Sequence, residues 1–112
     1  MSNLKIQIPV IDLIKSGFTF SVEFFPPRTE ERKAAFSNHL SQLDELSLDF
    51  CSITYGAGGS TTELTPEYVS ELSSRFDIPA IAHLTCVEHS RSTIEDELDL
   101  FDERMIRNIL AL

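Results

Sequence analysis

Strand-like apolar runs begin near Phe18, Phe50, Ala80 and Asn108. They recur about every thirty residues, the length that a strand, a crossover helix and two short loops need to return the chain to a parallel neighbour. No sequence similarity accompanies this period, so the repeat is architectural. Between the runs, the spacing predicts amphipathic helices. Glu30 to Leu46 carries Phe36, Leu40 and Leu43 on one face. Thr65-Pro66-Glu67 reads as an N-cap, a proline at the first helical position and an acid in the first turn, followed by Val69, Leu72 and Phe76. Ser92 and Glu95 have capping-box spacing, and Ile94, Leu98, Phe101 and Met105 form one stripe. Each stripe reads as the face packed on a sheet. Strict β/α alternation predicts the α/β class, a parallel sheet covered by helices, either doubly wound or closed into a barrel. Both architectures gather ligands at the C-terminal ends of their strands.

Composition narrows what those ends can hold. With 112 residues and 42 % hydrophobic side chains, the chain has room for one core. A formal charge of −9 repels phosphate backbones and anionic headgroups, which argues against nucleic acid or a membrane surface as partner. No apolar run approaches a membrane span, and Cys51 and Cys86 sit in apolar contexts without CxxC pairing, as in a reducing cytosol. A cytoplasmic protein is expected.

The strand ends carry the candidate chemistry. In the first run Phe18, Phe20, Val22 and Phe24 alternate with Thr19, Ser21 and Glu23, so polar groups line one face up to a carboxylate at its end. Glu23 is either a general acid desolvated by Phe24 and Phe25 or a solvated strand-end acid. In the second run, Phe50 to Tyr55, Ser52 and Thr54 face opposite to Cys51 and Ile53. The glycine-rich stretch Gly56-Ala57-Gly58-Gly59-Ser60 follows, either a close backbone approach to a ligand or a turn. The third run, Ala80 to Leu84, holds His83, which can hydrogen-bond a ligand or the scaffold. His83, Cys86 and His89 straddle a strand end and a loop, where residues three apart do not share a face, so no metal site is expected.

Three segments strongly resemble the methylenetetrahydrofolate reductase family, in order and at matching separations. They are Phe20-Ser21-Val22-Glu23-Phe24-Phe25-Pro26-Pro27-Arg28, Ser52-Ile53-Thr54-Tyr55-Gly56-Ala57-Gly58-Gly59-Ser60 and Ala82-His83-Leu84-Thr85-Cys86; Arg107-Asn108-Ile109-Leu110-Ala111-Leu112 resembles the family's fourth strand. The resemblance implies the first half, about four βα units, of a TIM (β/α)8 barrel over residues 17–112, with residues 1–16 as a helical or extended N-terminal segment. It implies FAD at the strand ends, NADH or NADPH as reductant, and reduction of 5,10-methylenetetrahydrofolate to 5-methyltetrahydrofolate, feeding methionine synthesis in a homo-oligomeric full-length enzyme. By resemblance Glu23 is the general acid, and Thr54, Tyr55, Ala57 and His83 contact the cofactors. The family's Arg-Gly-Asp after the fourth strand lies beyond Leu112, so these residues alone are expected to be inactive. The alternative is a non-catalytic half-barrel acting as a binding or assembly partner.

Overall fold

Four strands lie side by side in sequence order, every neighbouring pair parallel: β1 (Ser21–Phe24), β2 (Phe50–Ile53), β3 (Ala80–Leu84) and β4 (Ile109–Ala111). The computed structural model describes residues 4–55 and 64–112. The register pairs Glu23 with Ser52, Ser52 with Ile81, and His83 with Leu110. The helices that cross between strands are α2 (Glu30–Leu43), α3 (Leu64–Phe76) and α4 (Arg91–Glu103). This is the expected α/β arrangement, a sheet of parallel strands corresponding to the first half of a TIM barrel.

Strand alternation divides the sheet into two unlike faces. Phe24, Cys51, Ile53, Ala80, Ala82 and Leu84 are buried in the core with Leu40, Val69, Leu72 and Phe101 from the helices. Small residues at Cys51, Ala80 and Ala82 let α3 settle closely, and its Val69 and Leu72 are fully buried. Phe24 anchors the aromatic end of this layer, edge-on to Phe36 and stacked on Phe76, with Tyr68 edge-on to Phe36. The opposite face carries Glu23, Ser52, Thr54, Ile81, His83 and Leu110, the positions that point into the interior of a barrel.

Several boundaries differ from the sequence reading. β1 begins at Ser21, and Phe18 is 95 % exposed. Ser21 is already level with Phe50, the first residue of β2, so earlier residues have no ladder partner beyond the double clamp of Phe20 and Asp49. α2 stops at Leu43 rather than Leu46, with the Asp44 N–H closing on the Leu40 carbonyl. Thr65 lies inside α3, not at its cap; it is fully buried and its hydroxyl donates to the Thr54 carbonyl at 3.1 Å. α4 is capped by Ser90, not Ser92: Ser90 Oγ accepts from the Thr93 N–H at 3.2 Å. Leu98 stays exposed, because the sheet-facing line of α4 runs through Ile94, Glu97 and Phe101.

The turns from α3 and α4 into the next strand share one construction. Asp77 and Met105 adopt left-handed backbone with φ of 56° and 61°, and the following residue reaches back into the helix, Ile78 N to Ser73 O and Ile106 N to Phe101 O. Each is a Schellman-type stop that buries an isoleucine just past the turn. In the first, the buried Ser73 hydroxyl also donates to the Ile78 carbonyl.

A 3-10 turn (Leu4–Gln7) and α1 (Val10–Ser16) precede the sheet. Ile6 is buried in the core, and Lys5 pairs with Asp77 at 2.8 Å. α1 borders a groove with Ile81, Arg107, Asn108, Ile109 and Leu110. Asn108 clamps the junction between turn and helix. Its amide accepts from the Val10 N–H at 2.8 Å and donates to the Ile8 carbonyl at 2.8 Å. Asn108→Leu removes both bonds, with an expected cost of about 1–2 kcal/mol given partial access of water. Hydrogen exchange at the Val10 amide should accelerate; unchanged protection would show that α1 docks without the clamp.

Candidate active site at the strand ends

Glu23 is the last barrel-facing residue of β1, before Pro26 and Pro27, which cannot donate to a ladder. Its side chain is 48 % exposed and Phe25 turns outward, so the desolvation by flanking phenylalanines is not what surrounds this carboxylate. It is held by neighbouring strands instead. Ser52, directly level on β2, donates its hydroxyl to Glu23 Oε1 at 3.2 Å. His83, two strands away, brings Nε2 to 3.1 Å of the same oxygen. The His83 side chain is 10 % exposed, and Nε2 approaches Glu23 out of line for a hydrogen bond, so it is a buried polar nitrogen with no aligned partner.

The arrangement follows from the register. Ser52 opposes Ile81, which places His83 one step further toward the strand ends on the same face, level with Thr54. The imidazole spans the width of β2 between Ser52 and Thr54 to reach Glu23. Thr54 is half-buried, its N–H bonded to the Phe24 carbonyl at 3.0 Å and its carbonyl held by Thr65. Both backbone groups are therefore engaged in scaffold.

Tyr55 faces the other way. Its hydroxyl donates to Glu97 Oε1 of α4 at 2.6 Å and its ring meets His89 edge-on. Burial, then the Glu97 hydrogen bond and charge, push the phenol well above its ordinary range. The structure thus brings Glu23, Thr54 and His83 together on one face and assigns the Tyr55 side chain to the helix layer. Ala57 and the glycine-rich stretch lie outside the described residues. Ser52 as a partner of Glu23 and Glu97 as a partner of Tyr55 are additions that the sequence reading did not make. The signal for Ser52 was its place in the Ser52, Thr54 alternation; for Glu97 it was the three-residue step from Ile94.

The comparisons with known proteins bear on this face. The methylenetetrahydrofolate reductase family model matches residues 10–112. The chain belongs to the methylenetetrahydrofolate reductase family. It is 39 % identical over 108 residues to methylenetetrahydrofolate reductase (NADH) 1 of Arabidopsis thaliana, covering 92 % of this chain and 18 % of the relative. It is 34 % identical over 99 residues to the 5,10-methylenetetrahydrofolate reductase of Pectobacterium carotovorum, covering 88 % of this chain and 33 % of the relative. A third relative, methylenetetrahydrofolate reductase 1 of Schizosaccharomyces pombe, is 36 % identical over 99 residues, covering 88 % of this chain and 16 % of the relative. The chain therefore spans a third or less of the length of these reductases. The matched methylenetetrahydrofolate reductase segment takes in α1, Asn108 and all four strands. Among the described residues, no helix is long and apolar enough to cross a membrane.

The two cysteines of this reductase-family chain differ in access. Cys51 is fully buried at the centre of the sheet, and burial pushes its thiol from 9.0 up to about 12; Cys86 is half-buried at the end of β3. The neutral thiol of Cys51 is the favoured form, so its contribution to stability is complete below the ordinary thiol range and is lost as pH climbs from 9.0 toward about 12. Alkylation of the native protein at pH 8 should label Cys86 and spare Cys51 until denaturant is added. Equal labelling by mass spectrometry would contradict this core.

Proposed function

We propose that the full-length protein carrying this half-barrel reduces 5,10-methylenetetrahydrofolate to 5-methyltetrahydrofolate, with FAD as cofactor and Glu23 as general acid. The observation that carries the reading is a carboxylate at the end of β1, on the barrel-facing side of the sheet, hydrogen-bonded by Ser52 of β2 and approached by His83 Nε2 of β3. Family membership supplies the substrate class. The Arabidopsis and rice relatives are named as NADH enzymes, which favours NADH over NADPH as reductant. A homo-oligomeric, cytoplasmic enzyme serving methionine supply completes the proposal.

The residues present fit a polar cofactor on this face. His83 Nε2 is buried without an aligned partner, and the half-buried Thr54 side chain lies level with it. Thr54 and the ring of His83, whose Nε2 lies against Glu23, would hold FAD, while Tyr55, whose phenol is engaged with Glu97, would contribute through its backbone. When bound, FAD supplies hydride taken from the nicotinamide. Glu23 provides the proton. Transferred to a nitrogen of the folate's five-membered ring, it lets the carbon–nitrogen bond to the methylene carbon break, leaving an iminium electrophile and a Glu23 carboxylate. The Ser52 hydroxyl then stabilises the carboxylate charge.

The test is anaerobic. Full-length protein reduced with NADH should be reoxidised by 5,10-methylenetetrahydrofolate with stoichiometric formation of 5-methyltetrahydrofolate. Absence of flavin, or reduced flavin indifferent to the folate, would overturn the proposal.

A further inference from the structure

We propose that Ser52 and His83 are positioning residues that determine which oxygen of Glu23 handles the proton. This rests on the reading of Glu23 as the general acid and goes beyond it. Both neighbours address one atom, Oε1: the Ser52 hydroxyl at 3.2 Å and His83 Nε2 at 3.1 Å. Among the described residues, no hydrogen bond or ion pair engages Oε2.

The asymmetry has a chemical consequence. An oxygen that accepts from donors carries more of the carboxylate's negative charge, and a proton placed on it would confront those donors. The proton of the neutral acid therefore resides on Oε2, the oxygen that neither neighbour engages. When Oε2 gives its proton to the folate nitrogen, the remaining charge falls on Oε1, where the Ser52 O–H already points. The His83 imidazole, nine-tenths buried, adds its Nε2–H to the same oxygen after a small turn of the Glu23 carboxyl brings the two into line. Catalytic hydrogen bonds commonly tighten this way once substrate is bound.

The experiment is a double-mutant cycle in the full-length protein, read as the single-turnover rate of reduced flavin with 5,10-methylenetetrahydrofolate, per flavin bound. Ser52→Ala is expected to slow this step about ten- to a hundredfold, the size of one hydrogen bond to a charged group. Ser52→Thr keeps the hydroxyl and should recover most of the rate. In the Glu23→Gln background the further change Ser52→Ala should have no additional effect, because its influence passes through the carboxylate. His83→Ala should show the same loss of effect in that background, with flavin content measured in parallel. Equal costs of Ser52→Ala with and without Glu23→Gln, or no slowing at all, would overturn the positioning role while leaving the acid intact. Full activity of Glu23→Gln alone would instead remove the acid reading on which this rests.

Discussion

Glu23→Gln in the full-length protein is expected to slow folate reduction by about 10²–10⁴-fold, the usual worth of a general acid, while reduction of the flavin by nicotinamide continues. The two half-reactions separate because only one needs a proton delivered to a leaving nitrogen. Glutamine preserves the length of the side chain, and its amide oxygen can still accept from Ser52, so the scaffold around β1 and β2 is retained. Glu23 is also half-exposed, which makes the substitution mild for folding. Stopped-flow absorbance of the flavin, first with nicotinamide and then with the folate, resolves the steps. Parallel losses in both would mean that Glu23 supports the cofactor site rather than the proton transfer.

Expressed as these 112 residues alone, the protein is expected to self-associate and to purify without FAD. A folded monomer of 12.6 kDa exposes about 6,200 Å² by the usual scaling of surface with mass. This chain exposes 7052 Å². Apolar surface on the described residues adds to it. β1 and β4 are open edges, Ile109, Leu110 and Leu112 are exposed on and beside β4, and Ile11 and Ile14 of α1 are exposed beside the groove against Ile81. Unpaired strand edges flanked by apolar side chains invite pairing with another chain. Light scattering after size exclusion should show assemblies larger than 12.6 kDa, and added FAD should not co-elute. A monodisperse monomer that retains FAD stoichiometrically would show that Glu23, Thr54, His83 and their surroundings form a sufficient site.

The architecture was legible because burial on one face of each strand and one face of each helix leaves a periodic trace. Val69, Leu72 and Phe101 were readable as core for that reason, and so was the division of β2 into Cys51 and Ile53 against Ser52 and Thr54. What the pattern could not carry was contact between elements. The approach of His83 to Glu23 depends on the stagger of three strands, and the Asn108 clamp joins residues about a hundred positions apart. The helix ends were obscured for a different reason. Left-handed stops are usually marked by glycine, but here Asp77 and Met105 occupy them, and the signal shifts to the isoleucine that follows. Glu23 itself was placed by the resemblance of its motif; its residue context left two readings open.

The Asn108 clamp also imposes a sequence of events during synthesis. Ile8 and Val10 leave the ribosome early, but the amide that fixes them belongs to the start of the fourth strand. At translation rates of roughly 5–20 residues per second, α1 waits on the order of 5–20 s for its partner. During that interval Ile11 and Ile14 can meet Ile81 of β3 but not Ile109 and Leu110, which complete the groove. Lys5 and Ile6 can meet Asp77 and the core beside α3 before then, so the Asn108 amide is the latch that completes, rather than begins, the seating of this segment.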